Sequence, residues 1–265
     1  MNTRLLVSDA DNFRVDHEIN PYMSVHDQPD RDAVIGEHAA IVDAHRDAGR
    51  RVERLSSAAE CPDMVFTANA ALVSGDTAVL GRLPPARRDE TPHHRRWLRH
   101  HGFEVHEAPH DFSGQGDALP CGNLLLAGHG QRTDRRMHGF LAERLGYRVV
   151  SLRTVGPRWY DLDLAVAVID EQTLAWFPAA FDGPSRDRIR GLGLDLIEVT
   201  PAEAGRFALN LISDGSTVTM TDRAPGLAEQ LRDRGLAVVP LSTRELAKGG
   251  GGVRCTALTL YPAIT

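Results

Sequence analysis

The stretch Asp134-Arg-Arg-Met-His-Gly-Phe-Leu-Ala-Glu-Arg-Leu-Gly-Tyr-Arg-Val-Val150 decides the fold. Its first part, Asp134–Leu145, is polar and amphipathic and reads as a helix. Gly146 stands where a helix ends on a left-handed residue, and the apolar run after it reads as a short strand. The same order of helix, glycine and strand recurs at Arg31–Ala48 with Gly49, Pro92–His101 with Gly102, Ser185–Arg190 with Gly193, and Pro225–Arg234 with Gly235. Between these units lie strands opened by a turn: Gly75–Leu80, Gly122–Leu126, Thr173–Phe177 and Gly215–Met220. By subtraction the helix-ending glycines are 53, 44, 47 and 42 residues apart, a period found in propellers and repeat arrays. Helices alternating with strands make the class α/β rather than a pure β-propeller. Units of this kind that close on themselves leave a central channel, a natural site for a small ligand. Pro84-Pro85 and Gly183-Pro184 punctuate loops and no linker is visible, so residues 1–265 read as a single domain.

Bulk properties narrow the function classes. The chain is 42% hydrophobic and 25% charged with a net charge of −6, which argues against nucleic acid as the main partner. No run approaches the roughly 18 apolar residues of a membrane helix, and no membrane partner is expected. The start, Met1-Asn-Thr-Arg-Leu-Leu-Val-Ser-Asp9, lacks the long apolar region of a signal peptide. Cys61, Cys121 and Cys255 are an odd number without metal-like spacing, so a reduced, cytoplasmic chain is expected. His93, His94, His100 and His101 share a stretch with Arg95, Arg96 and Arg99 and read as a solvated helix face. No metal and no cofactor are expected.

Chemistry concentrates near the end of the chain. Four glycines, Gly249 to Gly252, mark backbone that bends sharply or approaches something closely. Cys255 follows them, and the only lysine of the chain, Lys248, precedes them. Backbone N–H groups and a cation beside a thiol lower its pKa and make it a nucleophile. The competing reading is a small buried sulfur opening a core strand. Gly114-Gln-Gly-Asp117 leaves room for a ligand near Asp117 or is simply a turn. Pro62–Asn69 reads as an apolar strand ending on Asn69, as a cap or as a site residue. In Trp159-Tyr-Asp-Leu-Asp163 the alternation places Asp161 and Asp163 on one strand face, where they bind a cation or meet water.

Read together, these segments resemble the guanidine-modifying pentein superfamily, in its dimethylargininase, arginine dihydrolase and amidinotransferase-like branch. The matching pieces are Ile19–Met23, Pro62–Asn69, Arg87–Glu90, Gly114–Asp117, Gly130–Asp134, Tyr160–Asp163, Phe177–Phe181 and Lys248–Cys255. The resemblance implies a five-bladed α/β propeller around a central site, in agreement with the repeats. It implies that Cys255 attacks a guanidinium carbon and expels an amine, giving a covalent intermediate that water or another amine resolves. It places Asn69 and Asp117 at the guanidine end and assigns the substrate carboxylate to Arg88 and Arg132. Asp63, Ser113 and Gly252 complete the expected substrate-binding set. Asn69, Asp117, Asp161 and Cys255 should then converge.

Two departures qualify that picture. The family's Tyr-His-Leu-Asp segment reads Tyr160-Asp161-Leu162-Asp163, so its histidine acid–base is absent. Its Phe-Glu-Gly-x-Gly-Asp segment reads Phe112-Ser113-Gly114-Gln115-Gly116-Asp117, so serine replaces the guanidinium-binding glutamate. General acid–base catalysis contributes roughly 10²–10⁴-fold, so ordinary hydrolysis should be weak unless Asp161 substitutes. The reading is a Cys255-dependent enzyme acting on arginine or a related small guanidino or amidino compound, with an altered reaction or substrate. The alternative is a catalytically silent pentein that binds a small amino acid or a protein partner. Exposed outer helices are compatible with a homodimer.

Overall fold

All five helix-ending glycines adopt positive φ: Gly49 at 77°, Gly102 at 85°, Gly146 at 77°, Gly193 at 72° and Gly235 at 84°. A side chain at these positions would strain the exit of each helix, which is why glycine punctuates the chain there. The computed structural model describes residues 2–264. Its elements run β1 (Arg4–Ser8), α1 (Arg31–Asp47), β2 (Arg51–Leu55), β3 (Ala71–Ser74), β4 (Thr77–Leu80), α2 (Thr91–His100) and β5 (Glu104–His106). They continue with β6 (Ala118–Cys121), β7 (Leu124–His129), α3 (Met137–Leu145), β8 (Arg148–Arg153), β9 (Val166–Val168), β10 (Thr173–Trp176), α4 (Gly183–Arg190) and β11 (Asp195–Glu198). The last are α5 (Pro201–Ala204), β12 (Ile212–Ser213), β13 (Thr217–Thr221), α6 (Pro225–Asp233), β14 (Ala237–Leu241) and β15 (Ala257–Tyr261).

Strand pairing repeats one scheme. A first strand pairs antiparallel with a second, a helix follows, and a third strand returns parallel to the second. Units β3-β4-β5, β6-β7-β8, β9-β10-β11 and β12-β13-β14 follow it. The remaining unit is built from both ends of the chain, with β15 antiparallel to β1 and β1 parallel to β2. Because β15 also pairs with β3, these two units merge into one six-stranded sheet of order β2-β1-β15-β3-β4-β5. The mixed α/β class agrees with the sequence reading. No helix is long and apolar enough to cross a membrane.

Helix α1 is placed by a buried stripe. Helix α1 buries Val34, His38, Ile41, Val42 and His45, a 3.6-residue periodicity, and Asp30 caps it by accepting from the Ala33 N–H. Its apolar residues join Leu5, Val7, Val65, Val253 and Cys255 in one cluster, which ties the outer helix to the strand that follows the thiol. Fully burying each such aliphatic side chain stabilises the fold by roughly 1.5–3 kcal/mol.

Four local expectations need correction. Helix α3 begins at Met137, because the Asp134 carboxylate takes the Arg136 N–H and guanidinium in a turn before it. The 159–163 segment is no strand: Asp161 is extended but Leu162–Leu164 is a 3-10 turn, and pairing starts only at Val166. Asn69 likewise sits in the 3-10 turn Thr67–Ala70 instead of ending a strand. On α2, His94 points inward and is buried while His100 and His101 are exposed, so only part of that histidine cluster is a solvated face.

Candidate functional site

The residue that each unit carries just before its first strand points to the same region. Asn69 precedes β3, Asp117 precedes β6, Asp161 and Asp163 precede β9, Asn210 precedes β12 and Cys255 precedes β15. All six are buried. Three of them, Cys255, Asp161 and Asn69, line one narrow cavity together with Asp63 and Arg132.

Cys255 is pinned from three sides. Asn210 Nδ2 donates to its sulfur at 3.0 Å, while Asn210 Oδ1 accepts from the backbone N–H of Cys255 at 3.1 Å and of Gly252 at 3.0 Å. The thiol donates to Asp163 Oδ2 at 3.3 Å. Burial, then the charges of Asp163 and Asp161, push the thiol well above its ordinary range, against the Gly252 and Asn210 hydrogen bonds. The expected activation by Lys248 is absent: that ammonium pairs with Glu245 at 2.9 Å and Asp27 at 3.3 Å and donates to the Gln28 carbonyl. Asp163 is also raised well above the usual carboxylate range, by burial and then by Asp161, with Arg254 opposing.

The glycine run is explained by crowding. A side chain at Gly251 would meet the Phe66 ring at 2.5 Å and one at Gly249 the Phe13 ring at 2.7 Å. Gly250 has φ 91°, and its carbonyl accepts from the Tyr160 hydroxyl. Gly249 and Gly251 line the cavity. Gly252 does not, and its N–H is committed to Asn210, so it sits behind Cys255 and away from the cavity.

Asp161 and Ser113, the two positions where a histidine and a glutamate were expected from the resemblance, bind each other. Ser113 Oγ donates to Asp161 Oδ1 at 2.6 Å, and Asn69 Nδ2 donates to Asp161 Oδ2 at 3.1 Å. Arg132 Nη1 adds a third donor at 3.3 Å and stacks its guanidinium over the Tyr160 ring at 4.2 Å. Three donors on its two oxygens fix the orientation of the Asp161 carboxylate. Asp117 sits behind this layer, where Oδ1 accepts from the Leu162 N–H at 2.9 Å. Burial and then Asp161 raise it to about 7. Asp63 faces the cavity with Oδ1 lacking a hydrogen-bond partner among the described residues, while Oδ2 bonds His17 Nε2 at 2.7 Å.

Arg88 lies elsewhere. It is exposed, with Nε 3.4 Å from the Leu83 carbonyl, because the 3-10 turn Pro85–Glu90 directs its neighbour inward instead. Arg87 is that neighbour: buried, paired with Glu90 at 2.7 and 2.8 Å, and donating to Asn69 Oδ1 at 2.8 Å. Sequence reasoning missed Arg87 and Asn210. The repeat itself held the signal for Asn210, since Leu209-Asn210-Leu211 stands before β12 as Asn69 stands before β3. No nucleotide-type or metal-type donor set lines the cavity among the described residues.

Comparison with known proteins gives a consistent picture. A family profile described as N,N dimethylarginine dimethylhydrolase, eukaryotic, matches residues 10–261. An N(G),N(G)-dimethylarginine dimethylaminohydrolase of Mycobacterium tuberculosis is 38% identical over 251 residues, 94% of this chain and 83% of that protein. The crystal structure of the N-terminal domain of ArgZ, a product-bound arginine dihydrolase from cyanobacteria, superposes with TM-score 0.94 at 31% identity, covering 99% of both chains. A variant of that domain covalently bonded to a reaction intermediate has the same TM-score, identity and coverage.

Proposed function

The chain belongs to the dimethylarginine dimethylaminohydrolase family of guanidine-modifying penteins, and from that premise we propose that it is a Cys255-dependent enzyme acting on arginine or a related small guanidino or amidino compound, with a reaction or a substrate altered from those of its relatives. The observation that carries this reading is the buried thiol on a cavity wall, held by Asn210 at 3.0 Å and facing Asp163 at 3.3 Å. We further infer that residues 1–265 form one domain, with the five units as blades about a pseudo-fivefold axis. The common scheme of strand pairing and the closure of β15 on β1 support that arrangement.

In this reading a cationic guanidinium enters beside Asp63 and lowers the thiol pKa by its charge. The sulfur lone pair forms a bond to the guanidinium carbon as Asp163 Oδ2 accepts the thiol proton. The carbon–nitrogen bond then breaks, and the leaving amine takes that proton back. Arg132 holds the substrate carboxylate once it releases Asp161, its fork matching the carboxylate plane. Water or a second amine attacks the remaining carbon and frees the sulfur. The two departures slow this last step most, since no histidine activates the incoming nucleophile.

One specific feature favours a second reading, a silent binder of a small amino acid: Arg132 already occupies Asp161 at 3.3 Å. Incubation with arginine, methylated arginines and guanidino acids, followed by intact mass spectrometry, separates the two. A mass adduct that disappears in Cys255→Ser supports the enzyme. Binding seen by calorimetry without adduct or turnover supports the binder.

A further inference from the structure

We propose that Glu60, Cys61 and His93 form a binding site for a divalent transition-metal ion, best suited to zinc, beside the segment that carries Asp63. Their ligand atoms all lie within 4.8 Å of one another, and no other group of three or more His, Cys, Asp and Glu residues does this among the described residues. His93 Nε2 and Glu60 Oε1 are 3.3 Å apart. The matching edge of a tetrahedron with ordinary Zn–N and Zn–O bonds is about 3.4 Å. Edges to sulfur would be about 3.6 Å, so the thiol needs to close by no more than about 1.2 Å.

The donor set selects the ion. One thiolate, one imidazole and one carboxylate are borderline-soft ligands that suit zinc over magnesium or calcium. Three protein ligands leave a fourth position for water or an external ligand. Cys61 is buried and Glu60 exposed, so an ion can enter from the Glu60 side. As the sulfur–metal bond forms, the Cys61 thiol proton leaves to solvent, while His93 binds as the neutral ring and Glu60 as the carboxylate. Sequence spacing hides the site because Glu60 and Cys61 belong to the loop after β2 and His93 to the first turn of α2. An ion there would staple that loop to the helix, directly ahead of Pro62 and Asp63.

The test does not depend on guanidine chemistry. Reduced, full-length protein is titrated anaerobically with Co²⁺ while the thiolate-to-cobalt charge-transfer and visible tetrahedral bands are followed, and Zn²⁺ is then added. We expect a single Co²⁺ per chain, displaced by Zn²⁺, with the bands intact in Cys255→Ser and lost in Cys61→Ser. His93→Gln should weaken affinity at least about tenfold. Bands that survive Cys61→Ser, bands that vanish in Cys255→Ser, or no bands in the native protein would overturn the proposal. Where Cys61→Ser fails to fold by circular dichroism, the surface variants Glu60→Gln and His93→Gln decide. Unchanged Co²⁺ affinity in both overturns it.

Discussion

The sulfur of Cys255 and the Asp163 carboxylate lie 3.3 Å apart and both are buried, so each opposes charge on the other. Burial is the largest cause of the upward shift in both groups. A protonated thiol reacts slowly with alkylating agents and oxidants, since thiolate character governs that chemistry.

Removing the acid should therefore free the sulfur. Asp163→Asn keeps the shape, exchanges one accepting oxygen for an amide donor and deletes the charge that raises the thiol. At pH 7 each unit of lowered pKa gives about tenfold more thiolate. The iodoacetamide rate at Cys255, read by peptide mass spectrometry, should rise at least several-fold, with Cys61 and Cys121 unchanged as internal controls. In the native protein all three should label slowly, because Cys61 and Cys121 are each raised to about 11. An unchanged or slower Cys255 in the variant would show that Asp163 is not what holds the thiol protonated.

Restoring Ser113→Glu and Asp161→His together should gain hydrolysis of arginine or a methylarginine, and the gain should be non-additive. The two side chains touch at 2.6 Å, so each single change meets the wrong neighbour. Ser113→Glu alone sets a second carboxylate against Asp161, and Asp161→His alone leaves Arg132 without its partner at 3.3 Å. Product formation assayed across the native protein and the three variants is the check. Equal activity in a single and the double variant would argue that the site has diverged elsewhere.

Asn210 makes three hydrogen bonds around Cys255, two through one oxygen. Asn210→Ala strips the Gly252 and Cys255 N–H groups of their acceptor in a dry site and should cost about 1–3 kcal/mol per stranded group. Urea unfolding should show the loss, and any adduct formation on Cys255 should fall with it. Stability within error of the native protein would mean that other acceptors replace Asn210.

How much of this was legible depends on the kind of signal. Gly49, Gly102, Gly146, Gly193 and Gly235 revealed the units because a left-handed residue leaves a compositional mark that tertiary context seldom overrides. That Cys255, Asn69 and Asp161 share one cavity was expected from the family resemblance, whereas local motif alone left Cys255 readable as a core sulfur and Asn69 as a cap. The 3-10 turns around Asn69 and Leu162 were not, since period-two alternation and a tight turn look alike over five residues. Neither was the choice of Arg87 over Arg88, because adjacent arginines differ only in which way the turn faces. The thiol environment was misjudged for a related reason: Lys248 is close in sequence, yet Asp27 and Glu245 hold it elsewhere.

His45 makes the fold acid-sensitive. It is fully buried at the end of α1, its Nδ1 accepts from Arg50 Nη1 at 2.8 Å, and burial and then Arg50 push its pKa down from 6.5 to about 3. A histidine whose folded pKa lies below its unfolded value contributes stability above the unfolded value, and that contribution is lost as pH falls toward the folded one. The window here is about pH 6.5 down to about 3. His38, lowered by burial to about 4, acts in the same direction. Asp117, raised from 3.8 to about 7, works oppositely, stabilising most below 3.8 and losing its contribution as pH rises. One such histidine lowers unfolding free energy by up to about 1.4 kcal/mol per pH unit within its window. His45→Gln cannot titrate but can still accept from Arg50 through its amide oxygen, so urea midpoints between pH 7 and pH 5 should fall less steeply in the variant. Parallel slopes for the two proteins would show that His45 does not stay neutral in the folded chain.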